Sequence, residues 1–410
     1  MAQLVARLHG MEEVGGSSPP ESTPLLILQE DMTKAQLGQF FTTNSNYILQ
    51  GFEKFVRNKE ITDPFAGNQD LFTWAEKNNC KKIIGFDCDK NYVDDKKVFY
   101  NDSINSPKKY KFILTNPPYL HKNKADKKTK GNFFSGIHSS FEDLYQISIF
   151  SILDSEEGIL IVPLNFLCAE NSKKIRCLFF EKFEIVKLNV FSQQVFEDTT
   201  YNVVSFYYRK KKVFNGKNKI SAIKFPEKEK FNFTIERKFG WQLGGNFLNK
   251  IRTAKNYLEI FRLTEDFLRS GNCEAKMALQ NVKEVRDFHI HKNIKNILEK
   301  NILFLRAIDS KNGKKIQLED IRKYGILGLV GKNTSRNMAH LIFGQKVSVK
   351  EQEILMQEFN RELNRNRKKY YSFFLTNFRD NGRKRISFDF AYKFLNYLYE
   401  QKHSKQSTLL

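Results

Sequence analysis

Cysteine is scarce in this sequence, and its placement excludes several kinds of protein. The five cysteines are scattered, and no two of them form a C-x-x-C pair: Cys80, Cys88, Cys168, Cys177 and Cys273. Zinc ribbons and disulfide-stabilised secreted domains both need close, repeated cysteine spacings. We therefore expect reduced thiols in a cytoplasmic protein.

Long apolar runs and clusters of metal ligands are missing as well. The apolar run nearest the start, residues 25–28, is far too short for a membrane span or for a signal-peptide core. His289 and His291 alternate around one isoleucine with no third ligand close by, which favours two strand residues over a metal site. We expect a soluble protein with no membrane partner and no bound metal.

The residues that are present predict a globular protein with a polyanionic partner. Hydrophobic residues make up 40% of the 410 residues and aromatic residues 14%, so substantial cores can form, and the length predicts two domains. Lysine and arginine outnumber aspartate and glutamate by 68 to 46, which gives a net charge of +22. This charge favours nucleic acid as the partner, although biased coding alone also produces lysine-rich chains.

The chain divides into four segments. Residues 1–31 have a Gly-Gly-Ser-Ser-Pro-Pro run and no periodic pattern, so we expect a disordered leader. Our hypothesis is that translation starts at Met32, which would make that leader non-native. Residues 32–209 form the first predicted domain, the lysine-rich residues 210–235 a linker, and residues 236–410 a second domain that is mainly helical or mixed.

The second domain has local patterns of its own. Helical patterns extend over residues 246–269 and 348–371, and residues 324–330 have the pattern of a short strand.

The first domain alternates short apolar runs with amphipathic stretches. The pattern predicts buried strands at residues 61–63, 82–87, 112–116 and 158–163, and helices over residues 141–153 and 173–183. Such alternation is typical of an α/β fold with a doubly wound, mostly parallel sheet, here with an antiparallel edge over residues 187–209. Ligands of these sheets bind beyond the carboxyl ends of the strands, so the polar residues that end the strands are the candidate site.

Three strand ends carry residues that suit a nucleoside-bearing ligand. Asp63 begins a turn that contains Gly67, where backbone amides can approach a ligand closely. Asp87 ends the next strand, where a carboxylate can accept hydrogen bonds from both hydroxyls of a ribose. Asp102 follows another predicted strand and is placed to accept from an exocyclic amino group, although acids at such positions are more often turn caps.

The most specific segment is Asn116-Pro117-Pro118-Tyr119, directly after a buried strand. Consecutive prolines force a rigid, extended exit from the sheet and leave carbonyl groups without ladder partners. The Asn116 side-chain oxygen and the Pro117 carbonyl can accept both hydrogens of a planar amino group and draw its nitrogen toward tetrahedral geometry. Tyr119 offers a face on which a base can stack.

Taken in order, these motifs resemble the gamma class of adenine-N6 DNA methyltransferases of type II restriction-modification systems. The resemblance covers residues 36 to about 209. Residues 37–43 resemble the leading cofactor motif, residues 63–71 the glycine motif, and residues 195–203 the motif whose aromatic residue, here Phe196, would hold a flipped base against Tyr119. The resemblance implies a Rossmann-like S-adenosylmethionine-dependent methyltransferase fold over residues 32–209 and a target recognition domain after it.

The family's site residues carry over by position. The implied catalytic residues are Asn116, Pro117, Pro118 and Tyr119. The implied binding residues for S-adenosylmethionine are Phe40, Thr42, Asp63, Phe65, Gly67, Asp87, Cys88, Asp102 and Asn116. Gln69 and Thr43 depart from the pattern, because the family commonly has glycine at the first position and proline at the second.

The resemblance implies double-stranded DNA as the partner. We expect the enzyme to be a monomer, and a cognate restriction endonuclease would act separately from it. We predict DNA contacts from a flexible basic loop over residues 121–131 and from an arginine-rich C-terminal segment. The candidate residues are Lys122, Lys124, Lys127, Lys128, Arg365, Arg367, Lys368, Arg383 and Arg385. Phe373 and Phe374, in the same segment, are predicted to pack in a core.

Other functions stay open. The tetrapeptide serves planar nitrogens generally, so RNA adenine, cytosine N4 or a protein glutamine are alternative substrates. Gln69 favours a further alternative, a catalytically inactive DNA-binding protein. Methylation at cytosine carbon 5 is excluded. Enzymes of that class attack the cytosine ring with a cysteine that follows a proline, and none of the nine prolines in this sequence precedes a cysteine.

Overall fold

The computed structural model describes residues 42–196, 202–310, 313–377 and 383–407. The largest hydrophobic core takes its residues from Ile48 to Leu243, with Phe373 in addition, and a second large core begins at Leu248 and ends at Leu398. The boundary between the two units therefore lies near residues 243–248. The predicted leader and the start at Met32 lie outside the described residues.

The first unit is built on a nine-stranded sheet. Its strands are β1 (Glu60–Asp63), β2 (Lys82–Asp87), β3 (Val98–Tyr100), β4 (Phe112–Thr115), β5 (Glu157–Pro163), β6 (Phe183–Phe191), β7 (Val203–Lys210), β8 (Lys217–Phe225) and β9 (Glu229–Glu236). They lie in the order β3-β2-β1-β4-β5-β7-β6-β8-β9. Strands β1 to β5 pair in parallel, and β7 is antiparallel to β5 and β6. The strand order reverses between β1 and β4, which is where doubly wound sheets bind ligands, and the predicted fold class is confirmed.

Helices accompany the strands of this sheet. They are α1 (Ser45–Ile48), α2 (Glu53–Val56), α3 (Phe72–Lys77), α4 (Lys127–Phe133), α5 (Leu144–Ser151), α6 (Asn165–Cys168) and α7 (Lys173–Lys182). Helix α5 is buried on nearly every side, and its buried residues include the polar Gln146, Ser148 and Ser151. The helices predicted over residues 141–153 and 173–183 correspond to α5 and α7; α5 has 8 residues and is clearly shorter than predicted, whereas α7, with 10 residues, ends one residue early.

Residues 210–235 are not the linker that their composition predicts. They supply β8 and β9, which extend the sheet beyond β6, so the antiparallel strand β7 lies inside the sheet and not at its edge. Burial alternates along β8: Asn218, Ile220 and Ala222 face inward, whereas Lys217 and Lys219 face outward. Two lysines thus lie on the exposed face, and the inward positions are too few and too small to give a strong apolar signal.

The second unit mixes short sheets with helices. Its elements are β10 (Ile260–Arg262), β11 (Ser270–Leu279), β12 (Val285–Ile290), β13 (Leu303–Arg306), β14 (Gln317–Asp320), β15 (Gly328–Val330), β16 (Met338–Phe343), β17 (Thr376–Asn377), β18 (Lys384–Arg385), α8 (Gly245–Arg252), α9 (Lys292–Lys300), α10 (Val349–Lys369) and α11 (Phe388–Ser407). Helix α10 confirms the helix predicted over residues 348–371. The helix predicted over residues 246–269 is wrong after Arg252, because that stretch turns into β10 and a 3-10 helix at Glu265–Phe267.

The strand predicted over residues 324–330 is confirmed only for its last part, Gly328–Val330. The preceding residues, Ile321–Tyr324, form a 3-10 helix. In the part of the chain that the structure describes, no helix is both long enough and apolar enough to cross a bilayer.

Candidate active site

A cleft opens at the carboxyl ends of β1, β2 and β4, where the strand order reverses. Eight of the predicted cofactor-binding residues line it: Thr42, Asp63, Phe65, Gly67, Asp87, Cys88, Asp102 and Asn116. Pro118 of the tetrapeptide lines it too. The structure therefore brings together side chains that lie as far apart in sequence as Thr42 and Asn116. The ninth predicted residue, Phe40, lies outside the described residues.

Asp63 is the most deeply buried acid of the cleft, with only 2% of its surface exposed. Its carboxylate accepts hydrogen bonds from the Thr115 hydroxyl at 2.5 Å and from the Phe65 N–H at 3.0 Å. Burial raises the pKa of Asp63 to about 7, and the nearby carboxylates of Asp87 and Asp70 act in the same direction. A cation bound in the cleft would favour the ionised form of this acid.

Asp87 ties the second strand to the glycine turn. Its two carboxylate oxygens accept from the Gly67 N–H at 2.9 Å and from the Asp89 N–H at 2.8 Å. Burial raises the pKa of Asp87 as well. The two hydrogen bonds hold this carboxylate at the wall of the cleft, in the position that the ribose-binding prediction requires.

Gly67 leaves room beside that wall. Its φ is +46°, and no heavy atom lies within 4 Å of the place where a Cβ would stand. Neighbouring Gly85 is different: a Cβ there would meet the Ala66 side chain at 2.4 Å, so this glycine serves the packing of the turn against β2. The open side of Gly67 and the surrounding acids suit a ligand with a cationic group and a nucleoside.

Asp102 caps a turn and also lines the cleft. Its Oδ1 accepts from the backbone N–H groups of Ile104 and Asn105, both at 3.1 Å, and its Oδ2 accepts from the Asn105 side-chain amide at 2.8 Å. Carboxylate oxygens have several acceptor positions, and these three contacts leave capacity for a ligand.

Gln69 adopts the conformation for which the family uses glycine. Its φ is +63°, in the left-handed region, and its side-chain amide donates to Asp94 at 2.8 Å. The turn is therefore formed in spite of the substitution, at the cost of about 1 kcal/mol of backbone strain. Thr43, the second departure, is exposed in the segment just before α1.

The tetrapeptide leaves β4 with its amide oxygen next to a tyrosine hydroxyl. The Tyr119 hydroxyl lies 2.5 Å from Asn116 Oδ1 and 2.8 Å from the Ile161 carbonyl oxygen, and its one proton can be donated to either acceptor. On the other side, Asn116 Nδ2 donates to Thr42 Oγ1 at 3.0 Å. Within the described ranges, no backbone or side-chain donor contacts the carbonyl of Pro117.

Tyr119 and Phe196, the predicted stacking pair, are in contact. Their ring centroids are 6.4 Å apart with an interplanar angle of 63°, and both rings are buried. A base held between two parallel faces needs about 7 Å between them, so the rings must separate and realign before a base can enter. Residues 197–201 of the same predicted motif lie outside the described residues.

The basic segment after the tetrapeptide is not a flexible loop. Lys122–Lys124 form a 3-10 helix, and α4 follows, capped by the Asp126 side chain, which accepts from the Thr129 N–H at 2.7 Å. Thr129 and Phe133 point from α4 into the cleft. The lysines of this segment remain on its outer side: Lys124, Lys127 and Lys128 are exposed, and Lys122 is half-buried.

The C-terminal basic residues divide into different environments. The prediction for Arg367 is wrong, because its guanidinium forms a buried bidentate pair with Asp309 at 2.8 and 2.7 Å. Arg365 is exposed and pairs with Glu362, and Lys368 is exposed. The remaining two candidates, Arg383 and Arg385, are half-buried. Phe373 and Phe374 are buried, as predicted.

Several residues of the cleft were not predicted. They are Pro64, Ala66, Asn68, Asp70, Leu71, Asp89, Asn101, Ser103, Ile104, Thr129, Phe133 and Leu144. Most of them flank a motif residue and could have been included by extending each motif. Phe133 and Leu144 belong to separate helices, and no local pattern announces their place in the cleft. Among the described residues, no cluster of histidine, cysteine, aspartate or glutamate could hold a metal ion.

Residues 22–196 match the family model described as Eco57I restriction-modification methylase. A comparison with curated protein sequences gave no match. Among solved structures, the chain is similar to a type I restriction-modification system methyltransferase subunit from Streptococcus thermophilus, with 16% identity over 48% of this chain and 50% of that one and a TM-score of 0.33.

Two further solved structures show a similarly distant likeness. The M protein of the type I restriction enzyme EcoKI has 14% identity over 50% of this chain and 52% of that one, with a TM-score of 0.30. The type IIG restriction endonuclease BpuSI has 11% identity over 90% of this chain and 60% of that one, with a TM-score of 0.44. The chain spans about half the length of both type I subunits.

The family match covers β1 to β6, the acidic cleft and the tetrapeptide. It confirms the resemblance that the order of the motifs predicts: residues 22–196 carry the sequence pattern of the Eco57I restriction-modification methylases.

Proposed function

We propose that this protein transfers a methyl group from S-adenosylmethionine to the N6 amino group of a flipped-out adenine in double-stranded DNA, as the methyltransferase of a restriction-modification system. The observation that carries the proposal is the position of Asn116, which lines an acidic cleft at the strand ends and whose side-chain oxygen lies 2.5 Å from the Tyr119 hydroxyl. This oxygen is an acceptor beside the tyrosine, where the amino group of a base that stacks on Tyr119 can meet it.

The cleft suits the cofactor in charge and in shape. Asp63, Asp87 and Asp102 surround a space beside Gly67, and S-adenosylmethionine is a cation with an ammonium group and two ribose hydroxyls. In this proposal Asp87 accepts from the ribose, Asp102 accepts from the adenine amino group of the cofactor, and Asp63 supports the positive end. When bound, the cofactor supplies an electrophilic methyl group on sulfur.

The tetrapeptide acts on the substrate nitrogen. An adenine amino nitrogen is a poor nucleophile because its lone pair is delocalised into the ring. Asn116 Oδ1 and the Pro117 carbonyl accept its two hydrogens, which favours tetrahedral geometry and frees the lone pair for attack. For this to happen the Tyr119 hydroxyl must leave Oδ1, and the Ile161 carbonyl is already within reach to accept its proton.

Base entry requires the aromatic pair to open. Because Tyr119 and Phe196 contact each other edge to face, a flipped adenine must push them apart and then stack between them. The energy comes from stacking and from the hydrogen bonds to Asn116. Phe196 lies beyond the end of β6 at Phe191, so its movement does not require β6 to move.

DNA would contact the basic segment at the rim of the cleft. One side of α4 contributes Thr129 and Phe133 to the cleft wall, and the opposite side displays Lys127 and Lys128 to solvent. Lysines in this position would meet the phosphates beside the flipped nucleotide and give the binding its salt dependence.

Incubation of the purified protein with methyl-labelled S-adenosylmethionine and unmethylated plasmid DNA tests the proposal. We expect label in DNA, and N6-methyladenine as the labelled nucleoside after digestion. Parallel reactions with unmodified RNA and with a protein lysate test the other substrates. Label in N4-methylcytosine, in RNA or in protein would replace adenine in DNA as the target. Binding to DNA with no label in any substrate would favour the inactive DNA-binding protein.

A further inference from the structure

The Asn116 carboxamide has a side-chain hydroxyl next to each of its two ends. Its Nδ2 donates to Thr42 Oγ1 at 3.0 Å, and its Oδ1 lies 2.5 Å from the Tyr119 hydroxyl. The two ends of an amide are nearly identical in size and shape, so only the neighbouring donors and acceptors determine which end faces which way. Thr42 Oγ1 contacts the nitrogen end of the Asn116 amide and therefore helps to determine the direction in which Oδ1 points.

Thr42 is itself held firmly. It is 3% exposed, and its backbone N–H donates to Asp70 Oδ2 at 2.7 Å. Asp70 lies between the glycine turn and α3 and lines the same cleft. Two hydrogen bonds thus connect the glycine turn, through Thr42, to Asn116.

We propose that Thr42 is a positioning residue for the methyl transfer: by accepting the Asn116 Nδ2 hydrogen, it keeps Oδ1 turned toward the amino group of the substrate. The inference rests on the proposed function and adds a residue to it. Without the hydroxyl, the amide would spend part of its time reversed, with Nδ2 donors facing the hydrogens of the substrate amino group. The resemblance implies a cofactor contact for Thr42, whereas in the structure its hydroxyl is hydrogen-bonded to Asn116, so the loss would appear in turnover more than in affinity for the cofactor.

Three variants test this role. Thr42→Val keeps the shape of the side chain but cannot accept a hydrogen bond, Thr42→Ser keeps the hydroxyl, and Thr43→Val makes the same chemical change one residue away at an exposed position. We expect kcat of Thr42→Val to fall roughly tenfold, the effect of one lost hydrogen bond. Its Kd for S-adenosylmethionine, measured by calorimetry, should change less than about threefold, which is small beside that loss. Thr42→Ser keeps the acceptor and should recover most of the kcat that Thr42→Val loses. Thr43→Val, at a residue that does not line the cleft, should stay within about twofold of the unmodified protein in both quantities.

A second measurement does not depend on activity. In a protein labelled with 15N-asparagine, the Asn116 side-chain amide resonance is identified by its absence in Asn116→Ala. We expect Thr42→Val to shift this resonance, because Nδ2 loses its acceptor, and we expect Thr43→Val to leave it in place.

The outcomes separate the inference from the proposed function. Unchanged kcat and an unchanged amide resonance in Thr42→Val would overturn the positioning role. A loss of cofactor affinity as large as the loss of kcat would overturn it too, because Thr42 would then act as a cofactor contact. If the unmodified protein and Thr43→Val methylate no substrate, the proposed function fails, while the amide resonance still decides whether Thr42 orients Asn116.

Discussion

Buried carboxylates in two regions of the protein have pKa values that are shifted in opposite directions. In the second unit, Asp309 is paired with Arg367 through two hydrogen bonds, and this pair more than offsets the effect of burial, so the pKa of Asp309 lies below its usual value. In the cleft, Asp63 is buried beside two other acids, and its pKa rises to about 7. Among the described residues, Asp63 forms no ion pair with a lysine or arginine.

The difference indicates which acid serves the fold and which serves a ligand. Asp309 has a cation supplied by its own chain, so its site is electrically complete. Within the part of the chain that the structure describes, Asp63 has only a hydroxyl and a backbone N–H as hydrogen-bond donors, and it shares the cleft with Asp87 and Asp70. Buried acids of this kind are found at functional sites, and in the proposed function a cationic cofactor would supply the missing charge.

The largest effect is expected at the tetrapeptide. Asn116→Ala removes the acceptor that activates the substrate nitrogen, while the acids that hold the cofactor remain. Methyl transfer should fall by about a factor of 10²–10³ or more, the usual loss for a group that acts on the transition state. Cofactor affinity should change little. Label transfer and calorimetry measure the two quantities, and near-normal turnover would refute the role of Asn116.

Removal of the Arg367 guanidinium should lower the unfolding free energy of the second unit. Arg367→Met leaves Asp309 buried without its cation, although the backbone N–H groups of Ile316 and Lys384 still donate to it, and breaking such a pair costs about 3–5 kcal/mol of unfolding free energy. Lys368→Met is the matched control, because its side chain is exposed and should change stability by less than about 0.5 kcal/mol. Urea unfolding measures both. Equal stability of the two variants would contradict the structural role of the pair.

The cleft acid should make cofactor binding depend on pH. Below pH 7 Asp63 is protonated in the free protein, and a bound cation favours its ionised form, so binding releases a proton. Affinity for S-adenosylmethionine should therefore rise about tenfold between pH 6 and pH 8, and then level off. The variant Asp63→Asn is the control, because any pH dependence of affinity that it retains must come from other groups, such as Asp87, Asp70 or the amino group of the cofactor. An identical pH profile in Asp63→Asn would show that Asp63 does not contribute.

A smaller effect is expected at the rim of the cleft. The double change Lys127→Gln and Lys128→Gln should weaken binding to duplex DNA by about tenfold at low salt. It should also reduce the slope of log affinity against log salt concentration by up to about two, because up to two phosphate contacts are lost. Lys210→Gln with Lys212→Gln makes the same charge change at the amino end of β5, the opposite edge of the sheet. Equal effects of the two pairs would indicate only a general contribution of net charge.

The sequence predicts the cleft well because each motif residue follows a strand and the strands are parallel. Asp63, Asp87 and Asn116 need only the strand order to come together, and that order follows from the alternation of strands and helices. The pairing of Arg367 with Asp309 joins residues 58 positions apart on different elements, which a run of basic residues does not reveal. The sequence of β8 and β9 resembles that of a linker because lysines lie on the outer face of these strands.

Methylation of adenine in DNA by the cleft and the tetrapeptide can be tested in cells. The protein is expressed in a host free of DNA methylation, and modified bases are mapped by long-read sequencing of the genomic DNA. We expect N6-methyladenine at every copy of one short sequence and nowhere else. An unmodified genome, from cells that contain folded protein and S-adenosylmethionine, would contradict it.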